Sequence, residues 1–320
     1  MTDAVGYTAT HHGGIKIGYT TPVGFLTEQL HPGMNIIGLR LHQKALCEGS
    51  IGSLGKDFAE IIKANTTKNG NVGPDLIQGR TYILEITSGA KAGIIQEISQ
   101  WQGLRLTLPD DIAASGVKPG DHFIIRQAAT LNSIFDPRST GLQVGKDPIS
   151  ADNVLIPQGA SFGDFRGCFI TRLPDGTAAW LDAVTRTPVG DLPLVYPDGL
   201  IVHCKGPDVV ELAYSGETKP GLTRSVVKPG LNLVATPFPA GGRLQKLGLE
   251  NDLLKSDHVM DADKVWVSDG PYGHFTTYFL NNEGKWINST HGDPVTEEIP
   301  VGSAILIERK GPDALFALGD

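Results

Sequence analysis

An apolar, β-branched run that stops at Lys-Gly-Pro-Asp occurs twice in this chain. The first copy is Leu200-Ile201-Val202-His203-Cys204-Lys205-Gly206-Pro207-Asp208. The second is Ala304-Ile305-Leu306-Ile307-Glu308-Arg309-Lys310-Gly311-Pro312-Asp313. Each run reads as a strand ended by a turn. Four matching residues can arise by chance, so the flanks decide. Ala151-Asp152-Asn153-Val154-Leu155-Ile156 answers to Ala262-Asp263-Lys264-Val265-Trp266-Val267, and Phe165–Ile170 answers to Phe275–Leu280. Gly176 with Trp180 answers to Gly284 with Trp286, and Pro197-Asp198-Gly199 to Pro300-Val301-Gly302. Further upstream, Thr20-Thr21-Pro22 and then His31-Pro32-Gly33-Met34-Asn35-Ile36-Ile37 match Thr218-Lys219-Pro220 and then Lys228-Pro229-Gly230-Leu231-Asn232-Leu233-Val234. The order is kept and the gaps are small, which reads as an internal duplication.

The duplication sets the expected organisation. The fold class is all-β, with two related β-rich units and a small β-barrel-like insert in the first. The first unit comprises 1–46 plus 130–210, the inserted domain 47–129, and the second unit 211–320. The 40 Gly and 21 Pro between short apolar runs supply the turns that such a chain needs. In the insert, alternating segments over 81–87, 94–98, 104–108 and 122–126 are joined by tight turns. Short antiparallel strands of this kind remove their open edges by closing on themselves. One stretch predicts otherwise: Leu54, Phe58, Ile61 and Ile62 follow three-and-four spacing, which predicts a helix over 54–64.

A net charge of −8 argues against nucleic acid as the main partner, because a phosphate-binding face needs clustered Lys and Arg. No apolar run approaches the roughly 20 residues of a membrane-spanning helix. The start, Met1-Thr2-Asp3-Ala4-Val5-Gly6-Tyr7, has neither a basic n-region nor an apolar h-region, so it does not read as a signal peptide and points to the cytoplasm. Cys47, Cys168 and Cys204 are odd in number and far apart, so a disulfide framework is not expected. Cys168 and Cys204 sit within apolar strands, as buried thiols do.

Chemistry-bearing patterns are sparse. His11-His12 would point to opposite faces of a strand and cannot chelate jointly there. Asp110-Asp111 and Glu297-Glu298 read as solvated turns rather than as the paired carboxylates of a glycosidase. There is no nucleophile elbow and no phosphate-binding glycine loop. No enzyme, cofactor or metal site is expected. The aromatics Trp180, Trp266, Tyr272, Tyr278 and Trp286 cluster in the repeated units. Exposed, they would stack on sugar rings; buried, they fill the cores of small β units or an interface.

Thr87-Ser88-Gly89-Ala90-Lys91-Ala92-Gly93, Pro229-Gly230-Leu231-Asn232-Leu233-Val234 and the stretch from Thr277 to Trp286 resemble a β-rich, duplicated-domain family of uncharacterised secreted proteins of Verrucomicrobia-like bacteria. The N-terminus departs from that family's secretion signal. A chain of this kind without export is similar to phage virion decoration proteins. The resemblance implies a non-enzymatic capsid decoration (cement) or other virion protein, assembled in the host cytoplasm. Its expected partners are copies of itself, as a trimer or other homo-oligomer, and a major capsid or shell protein, with no membrane. The alternatives are a carbohydrate- or receptor-binding β module, or a surface-layer or filament subunit at the cell surface.

Overall fold

The computed structural model describes residues 8–11, 14–17, 23–66, 79–158, 163–219, 221–238, 241–270 and 273–319. The chain opens with β1 (Thr8–His11), β2 (Gly14–Ile17), β3 (Val23–Leu30), β4 (Gly33–Gly38) and β5 (Leu41–His42). The insert follows as β6 (Ala45–Leu54), β7 (Phe58–Thr66), β8 (Tyr82–Ile86), β9 (Ile95–Ile98), β10 (Gln100–Gln102), β11 (Arg105–Thr107) and β12 (His122–Gln127). The first unit resumes with β13 (Ala129–Thr130), α1 (Leu131–Ile134), β14 (Asn153–Pro157), β15 (Phe165–Arg172), β16 (Ala178–Asp182), β17 (Pro193–Leu194), β18 (Gly199–Cys204) and β19 (Val210–Thr218). The second unit holds β20 (Thr223–Val227), β21 (Gly230–Ala235), β22 (Gly242–Arg243), β23 (Lys264–Ser268), β24 (Phe275–Leu280), β25 (Trp286–Asn288), β26 (Pro300–Val301), β27 (Ala304–Arg309) and β28 (Ala314–Leu318). The fold is all-β, and among the described residues no helix is long and apolar enough to cross a membrane.

Each unit contains a five-stranded antiparallel sheet, ordered β16-β15-β14-β18-β4 in the first and β25-β24-β23-β27-β21 in the second. A ribbon covers one face of each: β3 with β19 in the first unit, β20 with β28 in the second. Beneath the ribbons lie two cores. Val154, Ile170, Trp180 and Val202 pack with Leu212 and Tyr214 in one. Val265, Leu280, Trp286 and Ile307 pack with Val227 and Phe316 in the other. The other faces of the two sheets meet each other through Ile36, Leu155, Ile201, Leu231, Leu233 and Leu306. This explains the unbroken apolar runs before Lys-Gly-Pro-Asp: β18 and β27 are covered on both faces, so neither face can be polar. Gly38 lies where the sheets come closest, and a Cβ there would sit 2.1 Å from the Ser303 carbonyl oxygen.

The repeated polar residues fasten both units in the same way. The buried Asp152 accepts from the backbone N–H of Lys205 (2.6 Å) and of Gln143 (2.7 Å). Asp263 accepts from Lys310 N–H (2.6 Å) and Leu254 N–H (2.9 Å). Each carboxylate thus ties the start of one strand to the lysine that ends its neighbour. Asn35 and Asn232 make matching turns, accepting from His31 and Lys228 N–H at 2.8 and 2.9 Å.

The insert's sheet has the order β10-β11-β7-β6-β12-β8-β9. Its two end strands are consecutive in the chain, separated by Ser99 alone, and the sheet wraps a core that includes Ile51, Ile61, Leu84, Leu106 and Phe123. The helix expected over 54–64 is not formed; β7 occupies that stretch. Ala59 and Ile61 point inward with period two, whereas Ile62 is exposed and Phe58 lies under the Arg105 guanidinium at 3.7 Å. Two of the four residues in the helical spacing therefore belong to the outer face. The second unit also begins later than 211, because β19 pairs along its length with β3 and contributes Leu212 and Tyr214 to the first core.

Asp263 is fully buried and also pairs with Arg309 at 2.6 Å. Asp263→Ala leaves that guanidinium uncompensated and is expected to cost about 3–5 kcal/mol. Asp152→Ala forfeits backbone hydrogen bonds without such a partner and is expected to cost about 1–3 kcal/mol. Urea unfolding of both variants checks the ordering.

Candidate functional site

The insert and both units meet around β5, the start of β18 and β20, and the largest group of buried charges lies there. The elements impose it: β8 and β12 are adjacent in the insert, while β19 and Lys219 run past their ends. Arg126 on β12 pairs with Glu217 on β19, and its Nε lies 3.7 Å from Glu85 on β8. Lys219 reaches the same Glu85 at 2.9 Å. Arg126 also donates to the Gln43 carbonyl at 2.8 Å, and the Ala45 N–H donates to Glu217 at 3.1 Å. All four charged side chains are less than a tenth exposed. Buried charges persist only when paired and hydrogen-bonded, and here two cations meet two anions.

His42 and Tyr196 extend the cluster. Their rings meet edge-on at 4.7 Å, and the Tyr196 hydroxyl lies 2.6 Å from Thr223 Oγ1 across the unit boundary. Burial, with Arg126 and Lys219 adding to it, holds the His42 imidazole down at about 3, so the ring is neutral at ordinary pH. Burial pushes the Tyr196 phenol upward. A second tie joins the two units directly. Glu28 accepts from Arg40 (3.0 Å), Tyr214 (3.1 Å) and Ser303 (2.6 Å), and Arg40 also donates to the Phe238 carbonyl.

Next to the Tyr196 contact opens a cleft of about 510 Å³, walled by the insert and by both units. Asp198 lines it from the turn before β18, Gln96 from β9, and Arg224 and Lys228 from the two ends of β20. Arg224 is committed to the insert, donating to the Ala92 and Ala90 carbonyls at 3.0 and 3.2 Å. The approach is close: at Gly93, with φ +94°, a Cβ would lie 2.6 Å from the Leu222 carbonyl oxygen. Burial, with Glu97 adding to it and Lys228 opposing it, pushes the Asp198 carboxyl up to about 6, although solvent in the cleft reaches it.

The aromatics are not brought together on one surface. Trp180 and Trp286 sit at equivalent places inside the two cores, their indole N–H groups donating to the Phe135 carbonyl (2.7 Å) and to Glu250 (3.1 Å). A sugar cannot stack on either. Trp266 lies in the seam between the sheets, Tyr278 is half-buried against the second core, and Tyr272 lies outside the described residues. His12 also lies outside them. Asp111 caps a turn by accepting from Ala114 N–H at 2.9 Å, and Glu298 faces Arg243 at the surface. Among the described residues no three His, Cys, Asp or Glu side chains are grouped to hold a metal. The junction itself escaped the sequence, because its members come from segments as distant as 42, 85, 126, 196 and 217–219. The one signal was an ionisable residue within an apolar strand, such as Arg126 after Phe123-Ile124-Ile125.

Comparison with protein-family models, with curated proteins and with solved structures gives no match.

Because the folded state keeps His42 from taking a proton, stability is complete above the ordinary histidine value near 6.5 and falls as pH drops toward about 3. Between pH 7 and pH 5 this group is expected to remove about 2 kcal/mol. His42→Phe keeps the ring contact and should flatten that loss in urea unfolding. All three thiols are buried, with Cys47 raised to about 11 and Cys168 and Cys204 to about 12, chiefly by burial. A thiol reagent at pH 8 is expected to label none of them before unfolding, as mass spectrometry would read.

Proposed function

We propose that this chain is a non-enzymatic packing protein: a structural component of a viral particle, of the decoration or cement kind, that stabilises a shell by associating with its own copies and with a shell protein. One observation carries the reading. Strand β3 pairs with β19 on one side only among the described strands, and its outward positions include Val23 and Phe25, 74% and 70% exposed. An unpaired edge with large apolar residues is a template for joining another chain, and soluble proteins ordinarily blunt such edges with charge, proline or a bulge. The buried ion clusters support the same reading. They tie the insert to the first unit and the first unit to the second, so that load placed on one part passes to the others. In that role the ionisable residues hold pieces together rather than act on a substrate.

The place of the protein in a virion rests on the sequence resemblance. A surface-layer or filament subunit uses the same edge physics and differs in closure: heterologous pairing that fails to close yields filaments. A stable contact of the standard kind buries around 1,600 Å² in total, more than one strand edge provides. The edge is therefore read as the centre of a broader contact.

Light scattering after size exclusion is expected to give a closed oligomer for the full chain, and Phe25→Glu with Val23→Lys is expected to reduce it to a monomer with unchanged unfolding. A monomer at every concentration that also fails to co-sediment with purified phage particles would overturn the reading. Open filaments in electron micrographs would move it to the filament subunit.

A further inference from the structure

We infer that the cleft between the insert and the two units is a binding site for a neutral saccharide, held by Gln96, Asp198 and Lys228. The cleft's volume of about 510 Å³ lies in the range of small-molecule sites, which favour boundaries between domains.

The polar groups facing it are left open. Gln96 is only 9% exposed, yet its Oε1 has no hydrogen-bond partner among the described residues. A buried acceptor left empty costs about 1–3 kcal/mol; the Gln96 Oε1 is itself closed off from solvent, so a rotation of this side chain, which lines the cleft, is what brings it to a ligand donor. The Asp198 carboxylate likewise receives no hydrogen bond from the described residues, and the Lys228 ammonium, which acts on it electrostatically, makes none.

The second unit shows what the same place looks like when it is only structural. Gly199 stands opposite Gly38 in the first sheet as Ala304 stands opposite Ala235 in the second. The residues just before them, Asp198 and Ser303, are therefore counterparts, and the strand register shifts by two residues the sequence match of Pro197-Asp198-Gly199 to Pro300-Val301-Gly302. Ser303 is buried and spent, accepting from Gly38 N–H at 3.1 Å and donating to Glu28 at 2.6 Å. The fold fills this position with a small, internally satisfied hydroxyl where nothing needs to bind. At the counterpart it places a carboxylate aimed at solvent.

The mixture of groups selects the ligand class. A cation would satisfy Gln96, Asp198 and Asp110 but meet the Lys228 ammonium and the Arg224 guanidinium, and an anion would do the reverse. A hydroxyl both donates and accepts, so adjacent hydroxyls on one ring can donate to Gln96 and Asp198 while accepting from Lys228. Ile95, Val226 and Leu231 provide apolar wall against which the C–H face of a sugar ring packs. The site is separate from the β3 edge, so it stands or falls independently of assembly.

Saturation-transfer NMR on the full chain with glucose, galactose, N-acetylglucosamine and maltose tests it. Transfer to at least one of these sugars is expected, with affinity falling at least tenfold in Asp198→Ala and in Gln96→Leu while thermal unfolding stays cooperative. If Gln96→Leu does not fold, Lys228→Met, at a half-exposed position, gives the same readout. The proposal is overturned if none of the four sugars receives transfer, if the signal survives these substitutions, or if spermidine or inorganic phosphate is bound there in their place.

Discussion

A carboxylate placed where water cannot reach it must be given donors, and Asp152 and Asp263 turn that requirement into architecture. Each collects backbone N–H groups from a preceding loop and from the lysine that follows a central strand. The two strands joined this way, β14 with β18 and β23 with β27, are the neighbours at the centre of their sheets. Once the aspartate is satisfied, strand order and register near it are fixed, and a one-residue slip would leave a buried charge with the wrong partners. The Lys-Gly-Pro-Asp turn is thus half of a lock whose other half lies tens of residues earlier.

From that lock follows the apolar character of the central strands. Their inner faces fill the unit cores, and their outer faces fill the seam where the two sheets pack. The seam also explains the small residues at its middle. Gly38 pairs with Gly199 in one sheet and Ala235 with Ala304 in the other; a Cβ at Gly38 would collide with the Ser303 backbone, and one at Gly199 with the Leu233 side chain. Across this narrow gap Gly38 N–H reaches Ser303, and Ala235 N–H reaches the Pro197 carbonyl at 2.8 Å. Two units laced this closely have little freedom to move apart.

How much of this was legible depended on whether a residue's partners were near in sequence or repeated in it. The Asp152 and Asp263 strands were visible because the chain contains both versions, and Trp180 and Trp286 could be paired for the same reason. The alternation of β12 reflects faces that differ, with Phe123 and Ile125 inward, whereas β8 is buried throughout and draws Glu85 into the ion cluster. The helix expected over 54–64 is a strand for the converse reason: Phe58 and Ile62 are apolar but sit outside, so their three-and-four spacing with Leu54 and Ile61 does not mark a core face. The first unit extends past 210 because β19 pairs with β3, a contact of long range that no local signal announces. The junction of Arg126, Glu217, Glu85 and Lys219 was invisible for that reason too, since a buried ion cluster is a matter of which strands cross.

The insert is what makes the two units unequal, and the inequality locates the chemistry. Two sheets of the same strand order that pack face to face would give similar environments to corresponding residues. The insert leans on both β19 and β20, and it covers one end of the seam while leaving the other to Glu28 and Arg40. At the covered end, polar residues are drawn from three sources: Gln96 from the insert, Asp198 from the first unit and Lys228 from the second. Their donors and acceptors were not placed by one folding unit and do not cancel, whereas at the uncovered end Glu28 accepts from Arg40, Tyr214 and Ser303, leaving the Arg40 Nε without a partner among the described residues. A polar group left open in a cleft raises the energy of the empty state and so favours whatever fills it. Rigidity then becomes an advantage at that end, because a cleft whose three walls are braced by buried ion pairs needs no ordering when a ligand enters, and the ordering cost is what ordinarily consumes affinity.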